Sequence, residues 1–531
     1  MTLLAGFLDV LLRGLGLIAL SAAVGGVAYA LVVLRALSTR AAAGPEALGR
    51  VAGLVALGAL LLALSRAVVL FVLHPWVLAD ADGRWPVTDF VATAFGRASL
   101  VGIALALVLA VMAARLRRRP AARADWMGAA VIALLVLANS AWLAHAVSRL
   151  EGRGPLMLAT VFHQAGAVIW MGGLMHLARS WRAPLPPDAL ARFSLLGMAG
   201  VALVVGPGLG LGWGYVGSLP ALVGTGYGVM VLTKVALMTA VLLLGGLNFL
   251  LIRRWTRGAG NPSPAPRLRP FVEAEVGIGI TILLAAASLT SLPPAVDVVT
   301  DRATPAEVAA RFVPKLPRLV SPPVEQLLAA AAPIDDTLSA RQPEEYAWSE
   351  YNHHTAGFFV FAMGVLALLD RTGRARWARH WPLLLLGLAA FLFVRNDPRA
   401  WPLGPAGFWE SMALPDVLQH RLVVLIVVAF GLFEWLVRIG TLARPGWRFV
   451  FPIVCAVGGA MLLTHSHAMF NLKNEFLAEV SHAPMGVLGV LMGWGRWLEL
   501  RLPGEDRAVP GWVWSTAFCL IGAILLVYRE T

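Results

Sequence analysis

The stretch LGLIALSAAVGGVAYALVVL, residues 15–34, runs for twenty residues without a charged side chain. A helix needs about 20 such residues to cross the hydrocarbon core of a bilayer. Comparable runs recur through the 531-residue chain, which is 59% hydrophobic and only 14% charged. The runs are rich in Leu, Ala and Gly and lack the alternation of barrel strands, so backbone groups must be satisfied within helices. The sequence therefore predicts an all-α polytopic membrane protein.

The first run follows Arg13, is longer than the apolar core of a signal peptide and is not followed by a clear cleavage site. We expect it to be retained as the first of about 14 transmembrane helices, divided eight and six. The predicted spans lie near residues 14–35, 50–78, 88–114, 126–148, 156–178, 193–214, 226–252, 270–291, 352–370, 381–395, 419–438, 447–465, 480–497 and 510–528.

Arginines are concentrated in alternate loops between these spans. With the N-terminus outside, the inner loops carry 26 arginines and the five short outer loops carry six Arg or Lys residues. Because Lys and Arg are retained on the cytoplasmic side, this pattern predicts that the N- and C-termini lie outside the cytoplasm, which is the periplasmic side in a bacterial inner membrane. The net charge of +13 then reflects topology in the lipid bilayer, and we expect no nucleic-acid partner.

One long outer segment separates the two groups of spans. It is rich in proline and carries scattered acids, which indicates an irregular linker with one or two short helices. The predicted domains are an eight-helix membrane bundle at residues 1–291, a periplasmic Pro-rich linker at 292–350 and a six-helix His-rich membrane bundle at 351–531.

Histidines are concentrated in the second predicted bundle. The chain has only two cysteines, Cys455 and Cys519, each inside a predicted span, so soft-metal chemistry must rest on His and Met. Six of the eleven histidines lie at span ends that the predicted topology places on the outer face: His353, His354, His420, His465, His467 and His482. The loop after His467 adds Met469 and Glu475 as donors.

Imidazole and thioether donors favour copper among first-row metals, and Cu(I) in particular, although ligand type does not exclude zinc. Two alternatives remain open at this stage. The histidines could be interfacial residues that bond to carbonyls at helix ends, or paired histidines on neighbouring helices could ligate a haem iron.

The fifth predicted span reads HQAGAVIWMGGLMH, residues 163–176, and distributes donors along much of one helix. Met171 and Met175 are one turn apart and share a face, whereas His163 and His176 lie further round the helix on opposite sides. His74 and His145 lie at the outer ends of neighbouring spans. These residues predict a His/Met transport route, and the alternative for each methionine is that it fills the core.

Three basic residues fall inside predicted spans, namely Arg66, Arg97 and Lys234. Because charge is costly in lipid, we expect them to face the bundle interior and to pair with carboxylates or helix ends. The sixth span contains GPGLGLGWG, residues 206–214, which indicates either a broken helix or close packing through small residues.

The chain resembles the copper resistance protein D (CopD) family from Phe162 to Asp297. The motifs that carry the resemblance are His163 with Trp170-Met171-Gly172-Gly173-Leu174, Arg192-Phe193-Ser194, Tyr227-Gly228, Leu232-Thr233-Lys234, and Leu289-Thr290-Ser291 before Pro293-Pro294. The second bundle is similar to the extension of long CopD-like proteins, and more loosely to CtaG-type factors, through Asp397-Pro398, Trp401-Pro402-Leu403-Gly404, Leu418-Gln419-His420-Arg421 and Thr464-His465-Ser466-His467.

The resemblance implies copper movement from periplasm to cytoplasm, often beside a periplasmic CopC-like copper carrier, although the sequence has no fused CopC-like domain. We therefore expect a copper transport or delivery protein that is not an enzyme. A first alternative is a membrane oxidoreductase that binds haem b or a catalytic copper through the same histidines. A second is an assembly factor that inserts copper into cytochrome oxidase.

Overall fold

A computed structural model describes residues 2–35, 44–82, 85–149, 151–181, 186–257, 263–330, 342–464 and 473–530 of the chain. Every regular element within these ranges is helical, which confirms the predicted all-α class. Thirteen helices in the described residues are long and apolar enough to cross a membrane. One further apolar helix is shorter, and together they match the fourteen predicted spans. The chain is therefore a polytopic membrane protein.

The first eight helices are α1 Leu4–Leu34, α2 Pro45–Ala79, α3 Ala94–Arg118, α4 Arg123–Leu143, α5 Arg153–Ser180, α6 Pro187–Val216, α7 Gly226–Arg257 and α8 Ala265–Leu289. The other six are α9 Pro343–Arg371, α10 Arg376–Arg395, α11 Pro415–Ile439, the shorter α12 Trp447–Leu462, α13 Lys473–Arg501 and α14 Gly504–Leu526. The described chain forms two compact units, the first built mainly from residues 1–302 and the second mainly from residues 303–462 and 474–531.

Two glycines let α1 and α5 touch backbone to backbone in the first unit. A Cβ on Gly172 would collide with Ser21 O and lie 2.7 Å from Gly25 Cα, and a Cβ on Gly25 would lie 2.7 Å from Gly172 Cα. The crossing lies where α1 is π-helical, at Ser21–Gly25. Small residues allow such close approach in membrane helices, where dispersion contacts replace the hydrophobic effect between helices.

Helix α6 runs unbroken from Pro187 to Val216 with Pro207 inside it. The structure thus favours the packing interpretation of its glycine-rich segment over a broken helix. Proline still removes one backbone donor and crowds the preceding turn. In that turn Val204 O accepts a hydrogen bond from the His163 ring of α5.

The second unit has an aromatic core around one buried arginine. Trp381, Phe451 and Trp514 surround the Arg438 guanidinium, whose carbon lies 4.6 Å from the Trp381 ring centroid. Arg438 also pairs with Glu434 at 2.7 Å on the same helix. The pairing offsets the cost of placing both charges inside an apolar bundle.

The segment between the two groups of spans contains short helices at Pro305–Arg311 and Val324–Ala330. Helix α9 begins at Pro343, nine residues before the predicted start near 352. The extension is stabilised at its first turn, where Gln342 N donates to Glu345 Oε2 at 2.8 Å, as in a capping box. Hydropathy marks only the lipid-facing part of such a helix.

Candidate metal-handling residues

His163 stands at the junction of α5 and α6. Its Nδ1 donates to Val204 O at 2.8 Å, and Gly208 leaves space for the ring, because a Cβ there would lie 3.1 Å from it. Donation from Nδ1 leaves the lone pair on Nε2, the arrangement found in metal-ligating histidines whose other nitrogen is held by a carbonyl.

His176 lies thirteen residues further along α5 and is buried against α1. Its Nε2 donates to Ala22 O at 2.9 Å, and its ring stacks on Tyr29 with centroids 5.9 Å apart. A Cβ on Gly26 would overlap the imidazole, so glycine is needed there for the ring to fit. The remaining lone pair is on Nδ1.

Met171 and Met175 occupy different environments on α5. Met171 is 1% exposed, and a Cβ on Gly279 of α8 would overlap its sulfur, so the thioether rests on the bare backbone of α8. Met175 is half-buried. Each of the four donor residues of α5 therefore has its own packing environment. Their role as a transport route stays a prediction.

The two other histidines predicted for the route are engaged locally. His74 Nε2 lies 3.3 Å from Asp9 Oδ1, and its ring packs against Phe90 and Phe95. His145 Nε2 donates to Leu289 O at 3.0 Å. Neither contact joins these rings to the donors of α5 within the described residues.

The three basic residues inside the predicted spans differ in burial and in their hydrogen-bond partners. Arg66 lines an internal cavity of about 140 Å³ and donates to Asn139 Oδ1 at 3.2 Å. Lys234 is half-buried, and neither residue has a carboxylate within ion-pair distance among the described residues. The interior position expected for Arg97 is wrong, because its side chain is exposed in the first turn of α3.

His353 of α9 and His482 of α13 come together in the second unit. Their ring centroids are 5.9 Å apart, and Tyr528 stacks on His353 at 4.2 Å. His353 Nδ1 donates to Ser349 O at 2.8 Å, which leaves its lone pair on Nε2. His482 Nδ1 lies 3.2 Å from Glu479 O and 3.4 Å from Glu479 Oε2. Metal–nitrogen bonds are about 2 Å long, so the two rings are close enough to share one ion.

His354, the next residue, is fully buried with both ring nitrogens occupied. Arg318 N donates to its Nδ1 at 2.7 Å, so Nε2 carries the proton and donates to Tyr528 O at 2.7 Å. A metal could bind His354 only after one of these bonds had broken. Its two hydrogen bonds connect the segment near Arg318 to the segment near Tyr528, so its role here is structural.

We expect His354→Ala to destabilise the protein without changing its metal content. The change removes the hydrogen bonds of His354 to Arg318 N–H and Tyr528 C=O, and a buried group that loses its partner costs about 1–3 kcal/mol. The measurement is the melting temperature of the purified protein in detergent. His420→Ala is the matched control, since the His420 side chain is 42% exposed; equal melting temperatures for the two variants would contradict the structural role.

His420 lies on α11 and pairs with a carboxylate instead of with the other histidines. Its Nδ1 lies 2.8 Å from Asp397 Oδ1.

Glu475, another predicted ligand, is half-buried in the first turn of α13. His465, His467 and Met469 lie outside the described residues. Within the described part of the chain, no group of three or more His, Cys, Asp or Glu side chains is arranged to hold a metal ion.

Two polar residues were missed from the sequence. Tyr528 packs on the His353/His482 pair beside Glu479, and nothing in the local sequence of Tyr528 distinguishes it. Glu275 is 3% exposed inside α8. An acidic residue in an apolar span is a signal that charge counting along that span would have found.

Comparisons with known proteins agree with the sequence-based resemblance. Residues 187–289 match the family model described as copper resistance protein D, and these are the residues of α6, α7 and α8. The copper transport protein CutJ of Bacillus subtilis (strain 168) is 30% identical over 194 residues, which cover 35% of this chain and 34% of that protein. The chain thus matches about a third of the length of this curated relative. No solved structure matches.

The matched region coincides with three complete helices of the first unit and contains the partners of His163 and Met171, namely Val204 and Gly279. The agreement of the family model, the curated relative and the helical bundle supports a copper-related function in a membrane. The region formed by α6, α7 and α8 thus matches the copper resistance protein D family model over its whole length.

Proposed function

We propose that the protein transports or delivers copper at the bacterial inner membrane. In this proposal a site in the second unit collects the ion at the periplasmic face, and donors on α5 conduct it through the first unit. Cu(I) is the favoured form, because imidazole and thioether are the donors that the chain supplies. A separate periplasmic CopC-like carrier would load the outer site.

The observation that carries the proposal is the pairing of His353 with His482, with ring centroids 5.9 Å apart on two different helices. Carbonyl bonds to the far nitrogen orient ligating imidazoles in metal sites, and Ser349 O provides such a bond for His353. His465, His467 and Met469, together with Glu475, are the donors we propose to complete the site. The chain between Thr464 and Lys473 carries the first three of these.

Four donors on α5 support the route through the first unit. His163 and His176 are separated by thirteen residues, about 20 Å along a helix, and the two methionines lie between them. Each histidine keeps one ring nitrogen with a lone pair after its carbonyl bond. Ligands spaced along one helix allow an ion to pass between sites without entering lipid.

The driving force we propose is a metal, voltage or proton gradient. The sequence has no GxxxxGK[ST] phosphate loop. Protonation of imidazole competes with metal binding, so acid should favour release at any histidine ligand.

Copper uptake into proteoliposomes tests the proposal. The double substitution Met171→Leu with Met175→Leu removes both thioethers while conserving volume, so packing should change little. We expect the initial rate of copper uptake to fall at least about tenfold, the effect of losing about 1.4 kcal/mol of differential binding. Met198→Leu, an exposed methionine of α6, is the matched control and should leave the rate unchanged.

Two results would contradict copper transport and support one of the two alternative functions. A protein that binds copper at the outer surface of the vesicle but never delivers it to the lumen would be an assembly factor. A Soret absorption band that persists through washing would instead indicate haem and an oxidoreductase.

A further inference from the structure

Glu275 is a buried carboxyl near the middle of a membrane-spanning helix. It lies ten residues, about 15 Å, from the first residue of α8, and it is 3% exposed. Its hydrogen-bond partner is Asn248 of α7, whose Nδ2 donates to Glu275 Oε1. Among the described residues, no cation lies within ion-pair distance of this carboxyl. An ionised carboxylate at this position would therefore have no counter-cation in an apolar interior, and its negative charge would be costly.

The amide of Asn248 indicates which protonation state fits the site. Asn248 is 7% exposed, and its Oδ1 is buried without a hydrogen-bond partner. A neutral carboxylic acid has one O–H donor, and a carboxylate has none. The protonated side chain can thus donate to Asn248 Oδ1 while accepting from Nδ2, which satisfies both members of the pair. The unpartnered acceptor is explained if Glu275 carries a proton.

The carboxyl opens onto a cavity within the first unit. This cavity has a volume of about 420 Å³ and is lined mainly by apolar side chains of α5, α6 and α7. Trp170, Phe193 and Ser194, which belong to the motifs of the resemblance, line it together with Asn248 and Glu275. Glu275 therefore borders an open space and is not packed on all sides by side chains.

The same face of α8 meets a thioether of the proposed route. Gly279 is one turn after Glu275, and residues four apart on a helix have Cβ atoms about 5–6 Å apart on one face. The sulfur of Met171 rests on Gly279. Met171 therefore contacts α8 one helical turn after the position of Glu275.

Other titratable groups on the neighbouring helices are engaged elsewhere. His163 and His176 of α5 bond to Val204 O and Ala22 O, and Asp9 of α1 pairs with Arg13 at 2.6 Å. Lys234 precedes Asn248 on α7 by fourteen residues, about 21 Å. The remaining charged groups of α5 to α8 lie near helix ends or in the Arg269–Glu273 pair: Arg153, Arg179, Asp188, Arg192, Arg253, Arg254, Arg257, Arg267, Arg269 and Glu273.

We propose that Glu275 is the proton site of the first unit and exchanges its proton for a passing cuprous ion. The inference rests on the proposed copper route. In the exchange the carboxyl O–H bond breaks, the proton leaves through the cavity, and the carboxylate balances the single positive charge of Cu(I) at Met171. No electron is transferred, and one proton leaves for each copper ion that enters.

Proteoliposomes with an entrapped pH indicator test the exchange. Addition of Cu(I) should displace about one proton for each copper ion taken up, and the entrapped indicator reports this release. Glu275→Gln keeps the shape and the neutral charge of the protonated acid, so it should reduce copper-evoked proton movement at least about tenfold. Glu273→Gln is the matched control two residues away and should behave as the wild type. Copper uptake by the wild type without proton movement would overturn the proton site and leave the transport proposal intact.

Labelling with dicyclohexylcarbodiimide tests the proton site without copper. The protonated acid adds across a C=N bond of the reagent and rearranges to an N-acylurea, so the mass rises by one reagent molecule and nothing leaves. We expect mass spectrometry to find the adduct on Glu275 in the wild type and in Glu273→Gln, with labelling that declines as the pH rises. An unlabelled Glu275 would overturn the inference, whatever the uptake assay shows. If uptake itself is absent but labelling occurs, the transport proposal fails while the proton site stands.

Discussion

Alanine at both His353 and His482 should remove most of the copper that the purified protein binds. The two rings are the pair of predicted ligands that the described structure brings together, with centroids 5.9 Å apart. Loss of a residue that merely orients a ligand typically costs 10- to 100-fold in metal affinity. Loss of two ligands should therefore weaken copper binding by more than about 100-fold, as measured by titration with a competing Cu(I) chelator.

His380→Ala provides the control for this experiment. His380 belongs to the same unit but accepts a hydrogen bond from Trp435 Nε1 at 2.8 Å and lies away from the pair. Its replacement should leave the copper affinity unchanged. Unaltered binding in the double variant, with normal folding by circular dichroism, would mean that the His353/His482 pair is a structural contact.

Gly172→Leu should have the largest effect on stability. Any Cβ at this position collides with Ser21 O and with Gly25 Cα, which are backbone atoms and cannot move aside by changing rotamer. Overpacking costs about 1–3 kcal/mol in soluble cores, and we expect roughly 3 kcal/mol or more here because two helices must separate. The measurement is the melting temperature in detergent, together with the yield of monodisperse protein.

Gly210→Ala in α6 is the comparison, because no atom lies within 4 Å of the added Cβ there. That substitution should leave the melting temperature near the wild-type value. If Gly172→Leu were equally well tolerated, α1 and α5 would not be in direct backbone contact in the folded protein.

The positions of the spans followed from sequence because hydropathy reports contact with lipid directly. Each predicted span has its helix, including α12, which falls below the length needed for an unassisted crossing. The helix ends that extend beyond the apolar stretches were harder to predict. The nine added residues at the start of α9 depend on a cap formed by Gln342 and Glu345, which carries no hydropathic signal.

The helices that carry His353, His354 and His482 could also be read from the sequence, but the neighbours of these side chains could not. His353 and His354 are adjacent in the chain, yet one meets His482 and the other is fixed between Arg318 N and Tyr528 O. The difference arises from the direction of each side chain around α9 and from a segment 174 residues away in the chain. Glu275 was overlooked because only basic residues were counted as unusual within spans.

The crossing of α1 and α5 has a mechanical consequence. With glycine on both sides there is no side chain to rotate, so the two backbones can neither interpenetrate further nor slide without losing contact at Ser21 and Gly25. Any change of shape that the proposed transport requires in the first unit would therefore have to keep this backbone contact or separate the two helices along it.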